Sequence, residues 1–524
     1  MLTKNLYKKL LLLFIFISSS SLGAFLRFSD YIPSFNLEFI KNHPYFTTGI
    51  LTTAALGISC FAYKKYFNTY EERWDYDKVD ILDVEFPPDF IWGTADSAFQ
   101  TEGVVTTHGK KIKNTWTAWE KQEIIKDGIQ QPRFPKDERA GKACERWTHY
   151  KEDIQLIKKL GMNAHRYSIE WSKIETARGV FDTDAMQHYI DYTKELIDNG
   201  IQPIPTLWHH TCPLWFVNQT TNDTNSNLKP GFEDSRNIQD FVDFTVYVFN
   251  AFKGAGLLNN VTTWLTFNEP IGFALSAYVD GKLPPGKKFD FKTAGIVAKN
   301  MLDAHIAIYD AFDPHVQIGF AHVMTPIQPY TPWNPLDQIS AKIFDNLVND
   351  VALEYFKTGN FNWLYLVKNN NPNAIKKLDF IGVNYYTHTL LSMFQERTRP
   401  DEIVADGYPK GKRPKSLYAE GFYNSLKKAS TLGIPILITE NGFAAKTDSL
   451  REDYLKKHIY AISKAIKDGI DIRGYLFWTL TDCFGWNSGQ HSNHGIYQVD
   501  FETQERTFKP SAQYLVDVIA SSKN

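Results

Sequence analysis

The chain has 524 residues, of which 43% are hydrophobic and 22% charged, and this composition excludes wholesale disorder. Lys and Arg number 57 against 59 Asp and Glu, so the net charge of −2 excludes the broad positive field of a nucleic-acid-binding protein. The four cysteines lie far apart in the sequence and predict neither a dense disulfide framework nor a cysteine-bound zinc.

The N-terminal part contains two apolar segments. Residues 1–26 carry lysines followed by an apolar run, which is typical of a secretory signal peptide or a first hydrophobic segment. Residues 45–63 contain no charged side chain and predict a transmembrane helix, since 19 residues can cross about 30 Å of hydrocarbon. The alternative is one buried helix packed on the domain, because threonines and glycines dilute its apolar character.

The basic residues around these segments predict their orientation. Three lysines precede the first segment, two basic residues lie between the segments, and four follow the second within residues 64–78. This pattern favours a membrane hairpin with both ends cytoplasmic, and a cleaved signal followed by a stop-transfer helix would leave the large domain on the same side. A single uncleaved first anchor would place it outside.

Residues 81–524 alternate β-rich runs with amphipathic helical patterns. Eight runs predict strands: 90–94, 164–171, 202–208, 261–267, 317–322, 380–385, 434–439 and 474–479. Several helical patterns stop at a glycine, which is the usual helix terminator. Because strands separated by helices pair in parallel, the pattern predicts an α/β fold with a single (β/α)₈ TIM barrel. A doubly wound sheet is the alternative, but no GxGxxG motif follows the first strand.

Two glutamates stand at strand ends, where the chemistry of such barrels is located. Glu269 comes just after the fourth run and Glu440 just after the seventh, each beside an asparagine. A lone glutamate there is usually solvated or ion-paired. Two on facing strands are what glycosidic bond cleavage requires: one protonates the leaving oxygen and the other meets the anomeric carbon.

Six motifs within residues 86–520 resemble glycoside hydrolase family 1, the retaining β-glucosidase and β-galactosidase family. In chain order they span Phe90–Gly103, Arg166–Trp171, Thr206–His209, Thr266–Pro270, Asp379–Tyr386 and Ile438–Gly442. The resemblance implies a retaining β-glycosidase that acts on β-glucoside-like or β-galactoside-like substrates by double displacement, with carbohydrate as its partner and with no metal or organic cofactor.

The same resemblance implies the roles of the catalytic residues. Glu269 matches the acid/base and Glu440 the nucleophile, which retaining chemistry would place roughly 5–5.5 Å apart. Arg166 and Tyr386 match partners that orient the nucleophile, and the charge of Arg166 is expected to keep Glu440 ionised. Further positions match residues that bind the sugar: Gln100, His209, Asn268, Asn384, Trp478 and Trp486.

The sequence departs from the family at two positions. His210 stands where most members have a tryptophan and resembles the membrane-bound galactolipid-remodelling branch; as neighbours on a strand, His209 and His210 are expected to point to opposite faces. Gly485 stands where most members have a glutamate that binds the sugar 4- and 6-hydroxyls. The 6-phospho branch also replaces that glutamate but adds a downstream lysine, and residues 487–494 contain none.

These observations predict a membrane-anchored glycosidase with its catalytic domain in the cytoplasm. Two alternatives stay open at this point. One is a transglycosylase that passes the sugar to a lipid or alcohol acceptor. The other is a catalytically weak, membrane-anchored binding protein.

Overall fold

The computed structural model describes residues 72–523 apart from 106–108, 110, 127–128, 218–229 and 409–413. The apolar segments 1–26 and 45–63 lie outside the described residues, so the predicted anchor and its cytoplasmic side stay predictions. In the part of the chain that is described, no helix is long and apolar enough to span a membrane.

Eight parallel strands close a barrel within the described ranges. In chain order β1 to β8 are Ile91–Ala95, Ala164–Ser168, Gln202–Thr206, Thr263–Asn268, Gln317–Val323, Ile381–Tyr385, Ile436–Asn441 and Ile472–Trp478. Each strand pairs with the next, and β8 closes on β1 with Ile91 opposite Gly474. The predicted barrel is therefore confirmed, and the doubly wound alternative is wrong.

A helix lies between each strand and the next, as parallel pairing requires, and another follows β8. These helices, α1 to α8, are Arg146–Lys159, Thr183–Asp198, Ile238–Gly254, Phe291–Ala311, Val351–Thr358, Ala419–Ala429, Asp448–Lys467 and Gln513–Ser521. Gly200, which follows α2, has a φ of 72°, a left-handed conformation that glycine adopts without steric cost. The helix terminator expected at this glycine is confirmed.

Shorter elements decorate the loops of the barrel. The short helices are Ala98–Thr101, Thr115–Trp119, Trp171–Ile174, Leu214–Val217, Pro270–Tyr278 and Pro335–Asp345, the last continuing through Asn346–Asp350 into α5. The 3₁₀ turns are Lys136–Glu138, Gly231–Glu233, Ser235–Asn237, Pro372–Ala374, Ser430–Leu432 and Pro510–Ala512.

Short strands pair outside the barrel in hairpins and one small three-stranded sheet. The hairpins join Glu123–Lys126 with Ile129–Pro132, Glu175–Ala177 with Val180–Phe181, Asn360–Trp363 with Val367–Asn370, Cys483–Gly485 with Gly489–Ser492, and Tyr497–Val499 with Arg506–Phe508. The small sheet contains Ile327–Pro329, Thr389–Ser392 and Gln395–Arg397.

The interior of the barrel is filled by apolar side chains from its strands, among them Ile204, Leu265, Leu437 and Leu476. The outward faces of the strands pack on the helices in a second, larger apolar cluster. Because the barrel is a packed core rather than a pore, polar chemistry is confined to the carboxyl ends of its strands.

Candidate active site

The two glutamates lie at the carboxyl ends of facing strands. Glu440 is buried near the end of β7. Glu269 directly follows β4 and has a φ of 49°, in the left-handed region that costs a non-glycine residue about 1–2 kcal/mol. Pro270 is the first residue of the helix that follows Glu269. A proline is tolerated there because the first N–H of a helix has no partner within the helix. This turn holds the Glu269 side chain at the mouth of the barrel.

Glu440 accepts hydrogen bonds from a cation and from a phenol. Arg166 Nη1 donates to Oε1 at 2.7 Å, and Tyr386 Oη donates to Oε2 at 2.6 Å. Burial raises the pKa of Glu440, while the charge of Arg166 and the two hydrogen bonds oppose that rise. Arg166 is itself fully buried, so the pair is shielded from screening by salt.

Glu269 has different surroundings. Its Oε1 accepts a hydrogen bond of 2.9 Å from the neutral amide of Asn384. Burial raises the pKa of Glu269 to about 7, and the charge of Glu440 adds to the rise. Of the two carboxyl groups, Glu440 is therefore the one whose ionised form a cation and two hydrogen bonds stabilise, and Glu269 is the one that can carry a proton near neutrality.

Two asparagines connect the carboxylates. Asn384 Nδ2 donates to Asn268 Oδ1 at 3.0 Å as well as to Glu269, and Arg166 Nη2 donates to the same Oδ1 at 2.7 Å. Since Asn268 Oδ1 accepts both bonds, its Nδ2 faces the two histidines, with 3.1 Å to His209 Nε2 and 3.3 Å to His210 Nε2.

The direction of these bonds fixes the histidine tautomers. Nε2 of both rings accepts from Asn268, so the proton of each neutral ring sits on Nδ1. Burial lowers the pKa of His210 to about 3 and holds the pKa of His209 well below its usual range, so both rings are neutral. In the described part of the chain neither Nδ1 has a hydrogen-bond partner. Both atoms are therefore donors without a protein acceptor.

The expectation that the two histidines point to opposite faces is wrong. β3 ends at Thr206, so His209 and His210 lie beyond the pleated strand, and His210 adopts a φ of 69°. The turn brings both rings to Asn268, and the His210 ring stacks on Phe273 with centroids 5.8 Å apart. Sequence reasoning extended the strand too far and so missed His210 as a residue of the site.

The aromatic side chains predicted to bind sugar gather around His209. The rings of Trp478 and Trp486 lie nearly parallel to the His209 ring, at centroid distances of 5.7 and 6.2 Å. Gln100 Nε2 donates to the carbonyl of Phe484 at 2.6 Å, which places this amide beside the same hairpin as Trp486. The structure thus brings the predicted residues together at one end of the barrel.

Comparisons with known proteins identify the family. A family model described as glycosyl hydrolase family 1 matches residues 82–524. The chain belongs to this family.

Relatives of the chain carry different substrate names. A curated 6-phospho-beta-galactosidase of Staphylococcus haemolyticus is 29% identical, over 84% of this chain and 99% of that protein. A beta-glycosidase from Pyrococcus horikoshii is 31% identical with a TM-score of 0.69, over 84% and 96% of the two chains. A family 1 b-glucosidase from Thermotoga maritima is 26% identical with a TM-score of 0.71, over 84% and 99%. The chain is thus a glycoside hydrolase of family 1.

Gly485 is the position where the family resemblance leads us to expect a glutamate. It lies in the hairpin whose turn carries Trp486, paired with Gly489, and the Trp486 ring stacks on Phe99. A Cβ added to Gly485 would lie 2.0 Å from Ser488 Oγ and 3.1 Å from Ser492 Cβ. The space at this position is therefore occupied by Ser488, and a glutamate does not fit unless that serine moves.

One further residue of the site was missed by sequence reasoning. Lys415 precedes α6, and its Nζ lies 3.8 Å from the ring centroid of Tyr386. Burial lowers the pKa of Lys415, and the negative charges of Glu269 and Glu440 oppose that shift. The irregular segment that carries this lysine has no periodicity that could have placed it.

Within the described residues no cluster of His, Cys, Asp or Glu could hold a metal ion.

Proposed function

We propose that this family 1 glycoside hydrolase cleaves β-glycosides with retention of configuration, with Glu440 as the nucleophile and Glu269 as the acid and base. The observation that carries the proposal is the contrast between the two carboxyl groups. Glu440 accepts hydrogen bonds from Arg166 and Tyr386, whereas Glu269 accepts one from Asn384 and has a pKa raised to about 7. One ionised and one protonated carboxyl group is the division that double displacement needs.

In the first half-reaction a carboxylate oxygen of Glu440 attacks the anomeric carbon. The bond from that carbon to the leaving oxygen breaks, and Glu269 gives its proton to this oxygen. The product is a glycosyl-enzyme ester on Glu440 together with an ionised Glu269. Tyr386 and Arg166 hold Glu440 in place for the attack.

In the second half-reaction Glu269, now ionised, takes a proton from water as the water oxygen attacks the anomeric carbon. The ester bond to Glu440 breaks, and both carboxyl groups return to their starting protonation states. Two inversions at one carbon give net retention. Asn268 is the residue proposed to hold the sugar 2-hydroxyl during both steps.

The proposed substrates are β-glucosides and β-galactosides. His209 Nδ1 and Gln100 supply polar contacts to the sugar, and the Trp478 and Trp486 rings supply flat apolar surfaces. A 6-phosphoglycoside is the second candidate. Two observations favour it. A carboxylate at position 485 would repel a phosphate, and glycine stands there instead. The staphylococcal relative is named a 6-phospho-beta-galactosidase.

The acceptor that resolves the glycosyl-enzyme is part of the proposal. Water gives hydrolysis, whereas a lipid or alcohol hydroxyl would give transfer through the same intermediate. We propose hydrolysis as the main reaction. Product analysis in the presence of an added alcohol measures the partition between the two.

The full chain should be assayed on aryl β-glucoside, galactoside, fucoside, mannoside and 6-phosphoglucoside, with the Glu440→Ala protein as the blank. The proposal expects turnover of at least one of the five above the blank, with the β-anomer of the sugar formed first in proton NMR spectra. Release of the α-anomer first would contradict retention. Equal rates for the wild type and the blank on all five would contradict the proposed activity.

A further inference from the structure

Lys415 is a cation of the active site that the proposed mechanism does not use. Its Nζ lies over the Tyr386 ring, and within the described residues it makes neither an ion pair nor a hydrogen bond. The side chain is partly buried rather than extended into solvent. Ordering a lysine costs up to about 2 kcal/mol of side-chain entropy, so its placement calls for a compensating interaction.

The backbone fixes where this lysine stands. The carbonyl of Lys415 accepts a hydrogen bond of 2.9 Å from the Ala405 amide, and the Ser416 amide donates to Thr387 Oγ1 at 3.0 Å. Thr387 directly follows Tyr386, whose hydroxyl donates to Glu440. The position of Lys415 is therefore tied to the strand end that carries the site.

Contacts inside the protein contribute to this placement. A cation over an aromatic ring gains about 0.5–2 kcal/mol. The carboxylates of Glu269, Glu440 and Glu396 attract Lys415, but within the described residues none of them forms an ion pair with its Nζ, so the cation can still bind an anion from outside the protein. The nearby His494 ring is kept neutral by burial, so it does not compete for an anion.

We propose that Lys415 binds an anionic group on the leaving-group side of a β-glycoside, so that substrates with a carboxylate, sulfate or phosphate on the aglycone are preferred. This inference rests on the proposed function, because the leaving-group side is defined by the role of Glu269.

Two observations place the anion on the aglycone rather than on the sugar. Among the carboxylates that act on Lys415, Glu269 contributes most, and the proposed acid faces the glycosidic oxygen. Lys415 is also partly exposed, whereas Gln100, His209 and Trp478, which are proposed to bind the sugar, are each 6% exposed or less. The more exposed side of the site, where Lys415 lies, is therefore the side proposed to receive the leaving group.

The test compares two aryl β-glucosides that differ by one charge: the glucoside of hydroxybenzoate and that of the corresponding hydroxybenzamide. Lys415→Met removes the charge and keeps the length of the side chain, and Lys415→Arg keeps the charge. Lys368→Met is the matched control, because Lys368 lies over the Tyr365 ring at 4.4 Å in an exposed hairpin. The quantity measured is the ratio of kcat/KM for the charged substrate to that for the neutral one.

We expect Lys415→Met to lower this ratio about tenfold or more, as the loss of a hydrogen bond to a charged group does. Lys415→Arg and Lys368→Met should keep it within about threefold. In the wild-type enzyme, added salt should raise KM for the charged substrate alone, a measurement that needs no folded variant.

An unchanged ratio in Lys415→Met, together with no salt effect on the wild type, would overturn the inference while leaving the proposed function intact. A loss confined to 6-phosphoglucosides would also overturn it, because the anion would then be on the sugar. If the wild type hydrolysed neither glucoside faster than the Glu440→Ala protein, the proposed function itself would fail.

Discussion

Tyr386 donates the hydrogen of its hydroxyl to Glu440 Oε2 across 2.6 Å. Tyr386→Phe removes this donor and leaves the ring beneath Lys415 in place. Because a hydrogen bond to a charged group contributes about 1.5–3 kcal/mol, kcat/KM should fall about tenfold to a hundredfold. The acidic limb of the pH profile should move to higher pH, since the bond favours the ionised form of Glu440. A rate loss with an unmoved acidic limb would show that the hydroxyl acts only on packing.

The pH profile should end near neutrality on its alkaline side. Glu269 must be protonated to act as the acid, and its pKa is raised to about 7, so kcat/KM should fall as the pH rises through about 7. Glu269→Gln should abolish this limb, measured on an aryl glycoside whose leaving group still needs a proton in the wild type but is activated enough for the variant to turn over.

Glu120 provides the control for that experiment. Burial raises the pKa of Glu120 to about 7 as well. Its carboxylate accepts a hydrogen bond from the Ala140 amide, and neither residue is assigned to the site. Glu120→Gln should leave the alkaline limb unchanged. If Glu120→Gln lost the alkaline limb and Glu269→Gln kept it, the titration would belong to Glu120, and its assignment to Glu269 would be contradicted.

His210 should contribute to substrate binding. His210→Phe keeps a ring that can stack on Phe273 but removes the Nε2 acceptor of Asn268 and the Nδ1 donor. Because each neutral hydrogen bond that is lost contributes about 0.5–1.5 kcal/mol, the KM of the variant should rise about five- to tenfold. Thermal unfolding should be measured alongside, and a KM equal to that of the wild type would remove His210 from the site.

Gly485 and Ser488 should be coupled. Gly485→Glu alone places a side chain 2.0 Å from Ser488 Oγ and should lower the Tm by several degrees, since overpacking costs about 1–3 kcal/mol. The double variant Gly485→Glu with Ser488→Gly makes room for the carboxylate. It should recover stability and raise kcat/KM for glucosides over 6-phosphoglucosides. Additive effects of the two substitutions would show that Ser488 does not fill the space.

Much of the fold and of the site was predictable from sequence. Alternation of strands and helices predicted the barrel because its period repeats eight times, and Glu269 and Glu440 could be identified because each ends a strand. What could not be predicted lies beyond the strand ends. The position of His210 depends on a left-handed turn that strand periodicity does not encode. The position of Lys415 depends on a backbone contact with Ala405 in an irregular segment.

Glu440 forms the covalent bond to the sugar in the proposed mechanism, and this role can be tested by azide rescue of the Glu440→Ala variant. The variant should lose at least about a thousandfold in kcat on an aryl β-glycoside. Added azide should restore turnover by occupying the space of the missing carboxylate, and NMR should show an α-glycosyl azide. A β-glycosyl azide, or a variant that keeps the wild-type rate, would contradict the assignment of Glu440 as the nucleophile.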